Sequence, residues 1–213
     1  MTRLSYGGFM PKDTFFNLSE EKQKRIMDAI IDEFGRHTYE HINISNIVRD
    51  SGIPRGSFYQ YFIDKDDLFN HLNQEIQRLK FNYFGSLFLG DSNLSFIDRL
   101  EQILTSSFGF AIQYPKITKI GQKLSESDFY RTNPLAIKSI DLATQTFEKW
   151  IIDDMDKGLI RRDINSLVLA RVIVKFINQP IYYNDLSEDV VKMHQNEIKV
   201  IIDLLKKGIQ AHV

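Results

Sequence analysis

Residues 44–65 constrain the chain more than any other segment, because they fit two short helices joined by a sharp turn. Asn43 can cap the first of these helices with its side chain. Gly52 lies just past the end of that helix, where a left-handed backbone favours glycine. Pro54 can open the second helix, because its missing N–H would have no intrahelical partner there. This pattern predicts a helix-turn-helix.

The second helix of this segment predicts an exposed face that is free of acidic residues. At about 100° per residue, Phe58 and Phe62 fall together and point inward. Gln60 lies opposite them, flanked by Gly56 and Ser57. Glutamine can pair with adenine in the major groove, and a glycine lets the backbone approach closely, so this face suits DNA. The other side chains placed to hold bases or phosphates are Ser45, Arg55, Tyr59, Tyr61 and Lys65. The alternative is a turn that only joins two helices of a bundle.

Bulk composition gives no indication of a nucleic-acid partner. The 213 residues carry a net charge of −1, so a DNA-binding prediction depends on where particular charges lie. The absence of cysteine excludes disulfides. The sequence has neither an apolar run long enough to cross a bilayer nor the apolar core of a signal peptide. We therefore expect a cytoplasmic protein that does not contact a membrane.

Apolar residues recur at helical spacing along the rest of the chain, and alternating strand patterns are absent. The sequence predicts an all-α protein of about nine helices. We expect a small N-terminal module over residues 1–64, which opens with a flexible arm over residues 1–16. A connecting helix then spans residues 65–90, and a larger helical remainder spans residues 91–213.

Residues 24–72 resemble the TetR family of bacterial transcription regulators. The matching residues are Arg25, Ile26, Ala29, Ile30, Phe34, Tyr39, Ile47, Val48, Gly52, Ile53, Arg55, Gly56, Ser57, Phe58, Tyr59, Tyr61, Phe62, Lys65 and Leu68. The resemblance implies a three-helix DNA-binding domain over residues 1–64, and a ligand-binding and dimerisation domain over residues 91–213. It also implies a DNA-facing set formed by Ser45, Arg55, Gly56, Ser57, Tyr59, Gln60, Tyr61 and Lys65. Two positions depart from the family pattern. Thr38 replaces a glycine, and Pro54, which we include in the DNA-facing set, replaces a serine that could touch a phosphate.

The larger domain is rich in aromatic side chains that could line an apolar pocket between helices. The candidate ligand-binding residues are Phe84, Phe88, Phe108, Tyr114, Phe129, Phe147, Trp150 and Phe176. The alternative is that these rings only fill the core. Because the family holds a ligand in this domain, the resemblance implies a small-molecule effector, and the lining suggests a largely apolar one.

The resemblance further implies a homodimer that forms through the last two helices. The apolar residues that would contribute to it are Leu167, Val168, Val172, Phe176, Ile198, Ile201, Leu205 and Ile209, with intrachain core as the competing role. A dimer would bind a palindromic operator in double-stranded DNA, because paired recognition helices reach successive major grooves.

No catalytic, metal or cofactor site is expected. The histidines His37, His41, His71, His194 and His212 are scattered without metal-site spacing, and the sequence has no phosphate-binding glycine loop. We therefore predict a DNA-binding repressor, not an enzyme, that a small apolar effector releases from its operator. The alternative is a helical small-molecule binding or scaffolding protein whose helix-turn-helix is only structural.

Overall fold

The computed structural model describes residues 12–89, 94–178 and 187–210, and it confirms the all-α prediction. The α-helices of this part of the chain are α1 (Asp13–Phe16), α2 (Glu20–Arg36), α3 (Ile44–Ser51), α4 (Arg55–Tyr61), α5 (Lys65–Leu89), α6 (Phe96–Gln113), α7 (Pro115–Ser125), α8 (Asp128–Thr132), α9 (Pro134–Asp156), α10 (Ser166–Ile177) and α11 (Glu188–Ile209). A 3-10 turn, Tyr39–His41, joins α2 to α3. Two helices exceed the predicted nine, namely α1 and α8, because each is too short to show a hydrophobic period. No helix in the described ranges is long and apolar enough to span a membrane.

The helix-turn-helix forms from the local signals in its sequence. The Asn43 side chain accepts a hydrogen bond from the Ser45 N–H at 2.9 Å and caps α3. Gly52 ends α3 with a φ of 65°, in the left-handed region that favours glycine. Pro54 occupies the N-cap of α4, so the recognition helix begins one residue later than the proline.

A buried carboxylate fixes α3 against α2. Glu33 of α2 is only 2% exposed, and its Oε1 accepts a hydrogen bond from the Asn43 N–H at 2.9 Å. The Asn46 amide donates to both oxygens of the same carboxylate at 3.3 Å. Because a buried carboxylate is costly unless it is hydrogen-bonded, these contacts specify how α3 sits on α2.

The prediction of a flexible arm over residues 1–16 is wrong for the part that the structure describes, and residues 1–11 lie outside it. Phe15 of α1 is 2% exposed and packs against the ring of Phe62 at a centroid distance of 5.3 Å. Burial of one large aromatic side chain stabilises by about 1.5–3 kcal/mol, which is enough to hold a single helical turn in place.

The apolar residues form two separate cores. The first core contains buried side chains of α2, α3, α4 and the N-terminal half of α5, and it also contains Ile120 and Leu124 of α7. The second core contains side chains of α6, α9, α10 and α11. Helix α7 is thus packed into the core of the helix-turn-helix module, and Lys116 adds an ion pair with Asp32 of α2 at 2.7 Å.

Candidate DNA-binding surface

The outward face of α4 combines small, polar and aromatic side chains. Arg55, Gly56, Tyr59 and Gln60 are exposed, and Ser57 is half-buried. Further exposed members of the predicted set are Ser45 and Pro54. The opposite face of the helix holds Phe58, and Phe62 at its C-cap, both fully buried. Since residues 52–63 contain no acid, a phosphate backbone could approach this face without charge repulsion.

Gly56 has no structural requirement for glycine within the free protein. A Cβ at this position would meet no atom within 4 Å, and its φ is not positive. The missing side chain instead leaves bare backbone at the start of the recognition helix. That is the arrangement in which a second molecule can come closest to the helix.

Tyr61, which the sequence pattern placed among the side chains that hold bases or phosphates, lies inside the module and not on the exposed face with Arg55, Tyr59 and Gln60. It is 5% exposed, and its ring lies 6.2 Å from that of Phe15. The Lys22 ammonium lies 5.9 Å from the centroid of the same ring. On the helical wheel Tyr61 lies to one side of the inward-facing Phe58 and Phe62. Helix α1 packs over this side of α4, which α4 alone would leave exposed to solvent.

Lys65 lies at the start of α5 with its ammonium held by the protein. Its Nζ donates to the Tyr39 carbonyl oxygen at 3.0 Å and lies 4.3 Å above the centre of the Tyr39 ring. An ammonium has three N–H donors, so two remain for other acceptors. The predicted phosphate contact of Lys65 is therefore compatible with its position, and it stays a prediction.

Helix α1 holds the C-terminal end of α4 through hydrogen bonds to its last carbonyl groups. The Lys12 backbone N–H donates to the Tyr61 carbonyl oxygen at 2.9 Å, and Lys12 Nζ donates to the Tyr59 carbonyl oxygen at 2.7 Å. The Thr14 hydroxyl donates to the backbone carbonyl oxygen of Gln60. The last carbonyls of a helix have no intrahelical partner, and a cation near them is favourable. No sequence pattern predicts this contact, because α1 is too short to show a helical period.

A second contact, which we call the clasp, joins the module to α8 through Tyr39, Glu40, Ser127 and Phe129. The rings of Tyr39 and Phe129 stack with centroids 3.5 Å apart. Glu40 Oε1 accepts hydrogen bonds from the Ser127 hydroxyl at 2.6 Å and from the Phe129 N–H at 3.1 Å. The Ser127 hydroxyl, followed by backbone N–H groups, lowers the pKa of Glu40 to about 2. The clasp therefore contains a carboxylate that is ionised at neutral pH at the N-terminus of α8.

The eight aromatic residues predicted to bind a ligand do not share one pocket. Phe84 packs against Phe110 at 5.4 Å, and Tyr114 packs against the same ring at 4.8 Å. Phe108 stacks on His194 of α11 at 4.2 Å, and Phe129 belongs to the clasp. These rings fill separate contacts between helices, so the prediction of a common lining is wrong for them.

The remaining predicted aromatics are also divided. Phe147 is buried in the second core, and Phe176 is exposed on α10. Phe88 and Trp150 lie 5.7 Å apart and line a cleft of about 180 Å³. The cleft also contains charged side chains such as Arg99 and Lys157, so its lining is less apolar than expected. A larger cavity, described below, contains none of the eight.

Apolar side chains line the outside of α10 and α11. Val168, Val172 and Phe176 are exposed at four-residue spacing on α10. On α11 the exposed large apolar residues are Met193, Val200 and Leu204, which were not predicted. Two residues that we assigned to a dimer interface, Ile198 and Ile209, instead belong to the second core of the monomer. Each helix thus has one face for its own core and a second apolar face toward solvent.

Comparison with known proteins agrees with this geometry. Residues 26–72 match the family model of bacterial regulatory proteins of the tetR family. A TetR family transcriptional regulator from Chloroflexus aurantiacus superimposes with a TM-score of 0.73 at 24% identity, covering 95% of this chain and 100% of that chain. A gamma-butyrolactone receptor described as ArpA-like gives a TM-score of 0.65 at 18% identity, with 90% and 89% covered. The ketosteroid transcriptional regulator KstR2 of Mycobacterium tuberculosis gives 0.64 at 14% identity, with 92% and 98% covered. Among curated proteins the chain has no match.

A helix-turn-helix module with an exposed recognition helix, carried on a larger helical domain, defines a DNA-binding transcription regulator. The matched module and the shared fold specify which kind of transcription regulator the chain resembles. Residues 26–72 form a TetR-type DNA-binding domain by their family match, and the described chain has the fold of TetR family transcriptional regulators, as the sequence resemblance implied.

Proposed function

We propose that this protein is a cytoplasmic, homodimeric repressor that binds a palindromic operator and is released by a small, largely apolar effector. The observation that carries the proposal is the exposed, acid-free face of α4 around Gly56. The acceptor and donor groups of Gln60 and the guanidinium of Arg55 are free to reach base edges or phosphates from this face.

The apolar faces of α10 and α11 support a dimer. Exposed valine, leucine and phenylalanine side chains recur along both helices, and contiguous apolar patches of this kind mark protein interfaces. Pairing of two copies through these faces makes a self-complementary interface with two-fold symmetry. Two-fold symmetry in the protein matches a palindromic operator, whose half-sites lie about 34–36 Å apart.

Release by an effector requires a molecule that binds one conformation of the dimer better than the other. Helix α5 is the element suited to carry that difference, because Lys65 begins it beside the recognition helix and Phe88 lies near its other end. Two of the structural relatives are named for a gamma-butyrolactone and a ketosteroid. These names support a small-molecule effector for this chain.

The proposal is tested by selecting DNA from a random pool with the full-length protein and measuring binding by gel shift at several salt concentrations. Affinity for the selected sequence should fall by orders of magnitude as salt rises, in proportion to the phosphates contacted. Gln60→Ala should weaken the free energy of binding to the selected sequence by about 1–3 kcal/mol and leave binding to random DNA unchanged. Gln77→Ala, an exposed glutamine on α5, is the matched control and should change neither.

Recovery of a folded dimer that enriches no sequence would refute the repressor and favour a helical small-molecule binding or scaffolding protein. Equal losses on specific and random DNA in Gln60→Ala would show that Gln60 does not read a base.

A further inference from the structure

Helices α1, α2, α5 and α7 line a cavity of about 400 Å³ beside the first core, partly open to solvent, which we call the junction cavity because these four helices meet there. Sites for small molecules measure roughly 300–1,000 Å³ and are mostly apolar. Most side chains around the junction cavity are apolar, among them Phe15, Phe16, Met27, Ile31, Leu79 and Ile117.

His71 provides an unused hydrogen-bonding group in this apolar lining. The residue is 5% exposed, and its ring packs edge-on against Phe15 at 5.4 Å and Phe16 at 6.0 Å. Among the described residues, no hydrogen bond reaches either of its ring nitrogens. Burial lowers the pKa of His71, against the opposing effect of Glu75 and Asp67, so the ring is neutral at pH 7. A neutral imidazole offers one donor and one acceptor, and neither ring nitrogen is fully buried, so both groups are accessible to a molecule in the cavity that His71 lines.

The other polar groups of the lining are already paired. The Gln23 amide donates to the Phe16 and Leu18 carbonyl oxygens at 3.2 and 2.8 Å, which fixes the wall that α1 forms. Arg78 pairs with Glu75 at 2.7 Å, and both side chains extend toward solvent. His71 is therefore the polar group in this lining that is suited to orient a bound molecule.

The wall of the junction cavity is connected to the recognition helix. Phe15 and Phe16 belong to α1, and Lys12 and Thr14 at the start of the same segment hold the last carbonyl groups of α4. A molecule that displaces the two phenylalanine rings would thus pull on α4 directly. This route is short, and it starts from a cavity that the N-terminal half of α5 also lines.

We propose that the junction cavity binds a small, largely apolar molecule whose single hydroxyl or carbonyl group hydrogen-bonds to His71. Its occupancy shifts α1 and, with it, the C-terminal end of α4. This inference deepens the proposed function and rests on it, because it names the class of effector and where the effector acts.

The test uses the full-length protein labelled with 13C at its methionine methyl groups, with 2-naphthol and naphthalene as matched probes. Met27 lines the junction cavity, whereas Met155 lies in the second core and serves as an internal control. The Met27 signal, assigned by Met27→Leu, should shift saturably with 2-naphthol while the Met155 signal stays fixed. His71→Phe keeps an aromatic ring at the site, and it should weaken 2-naphthol binding by about tenfold, to the affinity of naphthalene.

Leu79→Trp fills the junction cavity without touching the recognition surface, so it should abolish binding of both probes. Saturating 2-naphthol should weaken binding of the wild type to its selected DNA, and it should leave the Leu79→Trp variant unaffected. The proposal is overturned by a Met27 signal that does not move, by equal shifts at Met27 and Met155, or by an unchanged 2-naphthol affinity in His71→Phe.

Failure of the junction cavity and failure of the repressor are distinguishable. If the wild type binds selected DNA but shows no Met27 shift, only the proposal for the junction cavity is refuted. If the wild type selects no DNA, the proposed repressor function is refuted. The Met27 signal then still reports whether the cavity binds a hydroxylated aromatic molecule.

Discussion

The hydrogen bond between Glu40 and Ser127 crosses 87 residues of sequence and ties the helix-turn-helix module to α8. Glu40→Gln keeps the side-chain shape and an acceptor but removes the charge. A hydrogen bond to a charged group contributes about 1.5–3 kcal/mol, and at most the lower end applies here because Glu40 is exposed to solvent. We therefore expect Glu40→Gln to reduce the free energy of unfolding by about 1.5 kcal/mol at pH 7.

The pH dependence of this loss has a defined sign. Because the pKa of Glu40 is lowered from its ordinary 4.5 to about 2, the ionised carboxylate favours the folded state. The contribution is complete above pH 4.5 and is lost as the pH falls toward 2. The difference between the wild type and Glu40→Gln should therefore shrink over that interval.

Urea unfolding followed by circular dichroism, at one protein concentration, measures both effects. A double-mutant cycle with Ser127→Ala isolates the bond itself, and a coupling of about 1 kcal/mol is expected for two groups that share a charged hydrogen bond. Glu126→Gln is the matched control, since Glu126 pairs with Lys123 on the surface at 2.9 Å, and such pairs contribute about 0–1 kcal/mol. A coupling below about 0.3 kcal/mol, within the additivity expected of independent sites, would refute a hydrogen-bonded clasp.

Three further substitutions test other features of the structure. Gly56→Ala should stabilise the free protein by about 0.4–1 kcal/mol, because the site has room for a methyl group, yet weaken DNA binding in the gel shift; unchanged DNA affinity would contradict a close approach to the helix. Glu33→Ala should lower the free energy of unfolding by about 1–3 kcal/mol in urea, since it leaves the Asn43 N–H without its acceptor, and a loss below 0.5 kcal/mol would mean that this contact does not hold α3. Leu204→Glu should convert a dimer to a monomer in analytical ultracentrifugation, because it puts an unpaired charge into the interface. Leu142→Glu is the matched control and should not do so, since Leu142 is 63% exposed and Leu204 is 64% exposed. A dimer that survives Leu204→Glu would place the interface elsewhere.

The parts of the fold that the sequence predicted correctly depend on local chemistry. Asn43 and Gly52 act within two or three residues of their own positions, through a side-chain cap and a left-handed backbone, so their roles follow from short sequence patterns. The inward direction of Phe58 likewise follows from helical periodicity.

The errors concern contacts between residues far apart in the chain. Tyr61 is buried because α1 covers it, and Phe129 stacks on Tyr39 of the first core, far from it in the chain. Residue type indicates that an aromatic ring will be buried, but it does not indicate against which partner. In the same way, the apolar residues of α11 divide between two faces of one helix. Ile198 and Leu204 have similar hydrophobicity and opposite exposures.

The position of α7 determines which parts of this protein can move as units. Because Ile120 and Leu124 complete the core beneath α2, the DNA-reading end cannot rotate away from α7 without opening that core to water. The natural division of the molecule therefore does not coincide with chain order. Helices α1 to α4, the first half of α5 and α7 form one block, and α6 with α9, α10 and α11 forms the other. The clasp also holds α8 to the first block, so a change in the spacing of two recognition helices has its hinge in the second half of α5 and at the join of α6 to α7.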